Sequence, residues 1–241
     1  MSNPVLLLQN ISKSFLIPSG KKVALDDVSL TIQKGECAVI AGENGSGKSV
    51  LMSIAAGLMD FDSGKVECEF RPGLVFQEAE TQILGETPAE DIAFGPKNLG
   101  WEKHEIEAAV KEALEETGLT EKADFPARFL SGGEKRRLAV ACMLAMKLPV
   151  IIMDEPYANL DYSGVKQVNA LVKKLRADGK TVIILTHELE KCLALADHFV
   201  VLFRGKKVFD GAPEDGLNQK LEDWNIRNPL TSYKSVGELV W

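Results

Sequence analysis

No apolar run in this sequence approaches the roughly 20 residues that a membrane-spanning helix requires, and its start lacks the charged-then-apolar pattern of a signal peptide. The four cysteines (Cys37, Cys68, Cys142 and Cys192) are scattered, with no C-x-x-C pair, so neither a zinc site nor a disulfide framework is indicated. Basic residues are not in excess. Lys and Arg number 28 against 35 Asp and Glu, a net charge of −7, which argues against the basic face that nucleic acid demands. There is no internal repeat and no low-complexity linker. The expectation is a cytosolic protein with reduced thiols. Its 241 residues, 45% hydrophobic and 26% charged, suffice for one large domain or a domain with a subdomain.

Against that background one stretch carries specific chemistry. Gly42-Glu43-Asn44-Gly45-Ser46-Gly47-Lys48-Ser49 fits G-x-x-x-x-G-K-[ST], the phosphate-binding loop. Its flanks agree, since apolar Cys37–Ala41 reads as a strand and residues 50–56 open a helix. Glycines let the backbone fold around a phosphate, with successive N–H groups aimed inward at a helix N-terminus. Lys48 supplies a point charge for the β- and γ-phosphates, and the Ser49 hydroxyl can ligate Mg²⁺. A Gly-rich turn that merely joined strand to helix would have no use for Lys-Ser after its last glycine. The chain is therefore expected to bind a nucleoside triphosphate.

Further strands are expected at 5–8 and 28–32, joined through a turn at 18–22, and at 65–70 and 73–76, separated by Pro72. Residues 77–100, with Gly85, Pro88, Gly95, Pro96 and Gly100, read as a loop-rich connector. Helical spacing of Ile106, Val110, Ala113 and Leu114 predicts a helix over 102–117 stopped at Gly118, and a second helix follows Ser131-Gly132-Gly133 through Met146. Strands at 150–153, 181–185 and 199–203 then alternate with helices at 163–177 and 188–195. This predicts an α/β fold with a mostly parallel sheet, interrupted by a helical subdomain.

Asp154 and Glu155 end the 150–153 strand, where ligands gather in open α/β sheets. Asp154 can help hold Mg²⁺ and Glu155 can polarise the water that attacks the γ-phosphate. His187 stands two residues past the 181–185 strand, within reach of the γ-phosphate or of Glu155, although such a His is more often structural. His104 and His198 read as surface or strand-end residues. Leu130-Ser131-Gly132-Gly133-Glu134 is a second Gly-containing helix start and so a second potential anion site. It could equally be a capping box, with Ser131 as N-cap and Glu134 closing it.

These motifs, taken in order with Gln77, Asp154-Glu155-Pro156 and Asn159-Leu160-Asp161, resemble the ATP-binding subunit of ABC transporters over essentially the whole chain. The resemblance implies a P-loop NTPase core of RecA-like type spanning 1–85 and 148–212, with an antiparallel N-terminal β part. It also implies an inserted helical signature subdomain at 86–147 and a short tail at 213–241. ATP would be held by Phe15, stacked on adenine, by residues 42–49, by Val50 and by Gln77. Gln77 would also reach Mg²⁺, with Ser49 and Asp154. Glu155, His187, Gln77 and Lys48 would be catalytic. Ser131, Gly132, Gly133 and Glu134 would contact the ATP of a second subunit, and Asp161 would communicate across that dimer.

Residues 73–77, 81–84 and 90–100 look narrower still, like the energy-coupling-factor group, importers of vitamins and of cobalt or nickel ions. The segment from Leu130 to Arg137 and the tail around Pro229 and Leu239 also fit. That group implies a transmembrane coupling subunit docked near 77–100, a separate membrane protein that binds the substrate, and a peripheral place on the cytoplasmic face of the membrane. The alternatives are a soluble assembly ATPase, of iron–sulfur type for instance, or the ATPase of another ABC transporter class. A DNA or ribosome machine would show a long heptad insertion or a duplicated cassette. Three departures stand out: Glu134 where glutamine is commoner, Phe15 in place of tyrosine, and only 28 residues between Lys48 and Gln77, as if a hairpin were trimmed.

Overall fold

The structure, a computed structural model, describes residues 4–231. A three-stranded antiparallel sheet in the order β2-β1-β4 joins β1 (Pro4–Ile17), β2 (Gly20–Gln33) and β4 (Ser63–Cys68). A six-stranded sheet in the order β5-β6-β7-β3-β8-β9 is built from β3 (Cys37–Ala41), β5 (Gly73–Val75), β6 (Val150–Asp154), β7 (Thr181–Thr186), β8 (His198–Phe203) and β9 (Lys206–Gly211). Every pairing in it is parallel except β8 with β9. Helices α1 (Lys48–Ala55), α2 (Pro88–Asn98), α3 (Lys103–Thr117), α4 (Gly132–Ala145), α5 (Tyr162–Ala177) and α6 (Pro213–Leu217) complete the fold.

The period-2 alternation of the parallel strands divides the core in two. Val39, Ile151, Met153, Ile184 and Val201 face one cluster, filled from α3, α4 and α5. Ala38, Ile40, Ile152, Ile183 and Val200 face the other, closed by α1 and by the antiparallel sheet. Both faces are covered, which is why these strands read as unbroken apolar runs.

Several expectations need correction. Residues 77–100 are not a loop: a 3-10 turn at Ala79–Gln82 is followed by the three-turn helix α2. Gly85 and Gly95 serve packing, whereas Gly100, at φ 75° with open space around it, follows the end of the helix. Pro88 takes the first helical position after the Thr87 N-cap, where its missing N–H costs nothing. A Cβ on Gly85 would strike the Asp91 backbone, and one on Gly95 would lie 2.5 Å from Met146 Sδ. Residues 188–195 form two 3-10 turns, Leu189–Lys191 and Leu193–Leu195, rather than one helix. The two strands on either side of Pro72 part company, β4 pairing with β1 and β5 with β6. Strand β9 was not anticipated, and β1 and β2 run far beyond their apolar centres, through bulges where Asn10 and Asp27 take left-handed φ of 51° and 58°. Leu239 of the tail lies outside the described residues.

Candidate nucleotide site

Strand order decides where the motifs meet. β7 pairs with β3 on one side and β6 on the other, with Ala41 opposite Thr186 and Asp154 opposite Leu185. The phosphate loop, the Asp154–Glu155 pair and His187 thus leave three neighbouring strands at their carboxyl ends.

The loop itself could be built only from its glycines. A Cβ on Gly42, at φ 156°, would lie 2.3 Å from the Leu202 carbonyl oxygen and 2.5 Å from the Ser46 hydroxyl. A Cβ on Gly47, at φ 108°, would lie 2.7 Å from the Ala24 carbonyl and 2.8 Å from Leu25. Strand β2 therefore packs directly on the loop, beside the hairpin tip where Phe15 opposes Lys22. Ser46 is buried and its hydroxyl has no partner among the described residues. Asn44 and Gly45 face solvent.

Lys48 is buried and donates to the carbonyls of Gly42 (2.7 Å) and Glu43 (3.2 Å). Burial lowers its pKa, opposed by the charges of Glu155, Asp154 and Glu43. Its ammonium lies 3.8 Å from Glu155 Oε1. That same oxygen is 3.0 Å from His187 Nδ1. Glu155 sits at φ 46°, unusual for a residue other than glycine, with its N–H bonded to Leu185 O at 2.9 Å. Asp154 is linked to the Ser49 hydroxyl, and burial raises its pKa against the opposing pull of that bond. Asp154 Oδ1 and Glu155 Oε2 are both buried without partners among the described residues. Gln77, two residues beyond β5, is exposed.

Ser131 caps α4 by accepting from Glu134 N (3.3 Å), and Glu134 Oε2 accepts from Ser131 N (2.8 Å). The capping reading is therefore correct, and the bond to the Ser131 N–H holds the Glu134 carboxyl below its usual pKa. It does not exclude an anion site, because Gly132 and Gly133 face open space. Asp161 likewise caps α5, accepting from Gly164 N at 2.7 Å. His104 is exposed, whereas His198 is mostly enclosed at the start of β8 between Glu36 and Asp210.

A model of the family described as ABC transporter matches residues 25–158. The chain belongs to the ABC transporter family. This ABC ATPase is 37% identical to the cobalt import ATP-binding protein CbiO of Rhodobacter capsulatus, over 94% of this chain and 86% of that protein. It is equally 37% identical to the energy-coupling factor transporter ATP-binding protein EcfA of Carboxydothermus hydrogenoformans, over 95% of this chain and 88% of that one. Among solved structures it resembles a dimeric ATP-binding cassette in a post-hydrolysis state with ADP and Pi, at TM-score 0.77 and 27% identity, covering 86% of this chain and 98% of the other.

The ABC ATPase also carries contacts that its sequence did not announce. Lys135 Nζ reaches Glu80 Oε2 (2.6 Å) and Arg136 reaches the Ala158 carbonyl (2.8 Å), so the start of α4 is tied to the loops behind Gln77 and before Asp161. Asn225 Nδ2 donates to Glu43 Oε2 across 2.7 Å. No local signal marks Asn225, which stands 182 positions from its partner. A groove of about 320 Å³ opens between α2 and α4, lined by Ile83, Leu84, Phe94, Leu99, Met143 and Met146, and Gln82 on its wall accepts from the N–H of Phe76, the residue before Gln77, at 2.8 Å. Asp91 holds one wall, accepting from Leu84 N (2.7 Å), Gly85 N (2.8 Å) and Cys142 Sγ (3.3 Å). No helix among the described residues is long and apolar enough to cross a membrane.

Proposed function

We propose that the chain is the ATP-hydrolysing subunit of a membrane importer of the energy-coupling-factor type, driving uptake of a vitamin or a transition-metal ion by ATP-dependent closure of a dimer. The observation that carries the importer reading is the apolar groove between α2 and α4. Leu84 and Phe94 there are 66% and 47% exposed, far more than an unpartnered surface gains from. Helices of a transmembrane coupling subunit would fill it, which ties membrane events to Gln77. The substrate would be recognised by a separate membrane subunit, and this chain would sit peripherally on the cytoplasmic face.

Residues 1–85 and 148–212 act as the nucleotide-binding core in this reading, 86–147 as the signature subdomain and 213–241 as the tail. Residues 42–50 cradle the triphosphate, and Phe15 stacks on the base. Lys48 leaves its two carbonyls to meet the β- and γ-phosphates. Glu155 accepts the proton of the attacking water, and His187 orients that carboxylate. Ser131, Gly132, Gly133 and Glu134 complete the site of a second ABC ATPase subunit, so ATP becomes part of the interface and favours the closed dimer by linkage. Asp161 carries communication across it.

Mg²⁺ fits this donor set. Asp154 keeps a buried oxygen without a partner among the described residues, beside the Ser49 hydroxyl, and Gln77 would supply a third ligand from the loop after β5. When bound, the ion neutralises charge on the phosphates.

Affinity purification from detergent-extracted membranes, with identification of the bound proteins, tests the assignment. Integral membrane partners are expected, and Phe94→Asp should release them while ATP binding persists. Recovery of soluble partners alone would favour an assembly ATPase instead.

A further inference from the structure

Beyond β9 the chain turns back toward the phosphate loop. Leu221 and Ile226 are buried in the core, and a 3-10 turn at Leu221–Trp224 links them. Asn225 closes that turn in the left-handed region, at φ 56°, which asparagine tolerates better than most residues. The turn is pinned by Asn225 N to Glu222 O and Ile226 N to Leu221 O, both 3.0 Å. Its side chain is therefore delivered to one place, 2.7 Å from Glu43 Oε2.

Glu43 is the second residue of a loop shaped for a polyanion. Its carbonyl accepts from Lys48, and its carboxylate lies close enough to favour the charged form of that lysine. An unrestrained carboxylate here would oppose phosphate by like charge and compete for the loop's N–H groups. We propose that Asn225 is a positioning residue for nucleotide binding: it fixes the Glu43 carboxylate on the tail side of the loop and so couples the segment after β9 to the ATP site. The proposal rests on reading residues 42–49 as the triphosphate loop.

Calorimetric titration of the full chain with ATP and Mg²⁺, alongside steady-state hydrolysis, tests it. Asn225→Asp sets two carboxylates against each other and should weaken ATP binding roughly three- to tenfold, raising KM while turnover at saturating ATP changes little. Glu43→Gln in the same chain should restore affinity, because Gln accepts or donates without charge. Asn225→Gly keeps the left-handed backbone and loses only the donor, so a smaller loss of affinity with an unchanged melting temperature is expected. Wild-type affinity in Asn225→Asp, or no rescue by Glu43→Gln, overturns the proposal. Lys48→Ala serves as the control: if it too binds ATP normally, the loop reading itself fails, whereas a defect there beside a normal Asn225→Asp removes only the role of Asn225.

Discussion

Glu155 Oε1 lies 3.0 Å from His187 Nδ1 and 3.8 Å from Lys48 Nζ, so one carboxylate oxygen meets both groups while Oε2 stays buried, without a partner among the described residues. Three strands meet at this point. Lys48 follows β3, Glu155 follows β6, His187 follows β7, and the parallel pairing of β7 with both others brings the three side chains together. Glu155 takes a left-handed φ of 46°, and in the proposed mechanism Oε2 is the oxygen that would accept the proton.

Replacing Glu155 by Gln keeps the shape and the bond to His187 but removes the basic oxygen. Turnover should fall by on the order of 10²–10⁴, while ATP still binds. If hydrolysis releases the dimer as proposed, the variant should accumulate as an ATP-dependent dimer in size-exclusion chromatography. Hydrolysis within a few-fold of wild type would remove Glu155 from the role of base.

How far the sequence reveals this site depends on whether its chemistry is local. The phosphate loop, the Ser131–Glu134 capping box and the Asp154–Glu155 pair are contiguous, and their spacing fixes both conformation and neighbours. The parallel strands are equally legible, because burial on both faces leaves only apolar residues. The helix α2 was hidden for the opposite reason: Gly85, Pro88, Gly95 and Pro96 look like breakers, yet Gly85 and Gly95 answer to Asp91 and Met146, contacts invisible in one dimension. The same holds for Asn225 on Glu43, and for Lys135 on Glu80. In β1 and β2 the apolar pattern fades where bulges at Asn10 and Asp27 shift the register, so only the centres of these strands could be read.

His198 offers a pH dependence separate from catalysis. Its Nδ1 lies 3.2 Å from Glu36 Oε1 and its Nε2 2.6 Å from Asp210 Oδ1, with Lys207 paired to the other oxygen of Asp210. The bond to Glu36, opposed by burial and supported by Asp210, raises the His198 pKa above its ordinary value. A raised pKa means the folded state binds the proton more tightly. The stabilisation is therefore complete below about pH 6.5 and is lost as pH rises through the folded value. Urea midpoints measured across that range should decline for the wild type more steeply than for His198→Gln. Parallel curves for the two proteins would show that this cluster does not stabilise through protonation.

The most discriminating substitution is at Gly133. A Cβ on Gly42 or Gly47 collides with backbone inside the same chain, so changes there would damage the loop before any question of mechanism arose. At Gly133 the nearest atom to a new Cβ is an Arg137 nitrogen at 4.0 Å, and at Gly132 nothing lies within 4 Å. Neither glycine has positive φ. The isolated chain thus has room for a side chain that it does not use, so in the proposed two-subunit site any need for glycine would come from the partner's ATP approaching this turn. Gly133→Leu should leave the melting temperature and ATP affinity of the monomer unchanged, while hydrolysis falls by roughly 10²-fold or more, as when a donor to the reacting phosphate is removed. Mixing this variant with Lys48→Ala protein should restore part of the activity, since one of the two composite sites then combines an intact phosphate loop with an intact signature turn. Loss of ATP binding by monomeric Gly133→Leu, or full hydrolysis by it, would show that residues 131–134 do not complete the site of a second subunit.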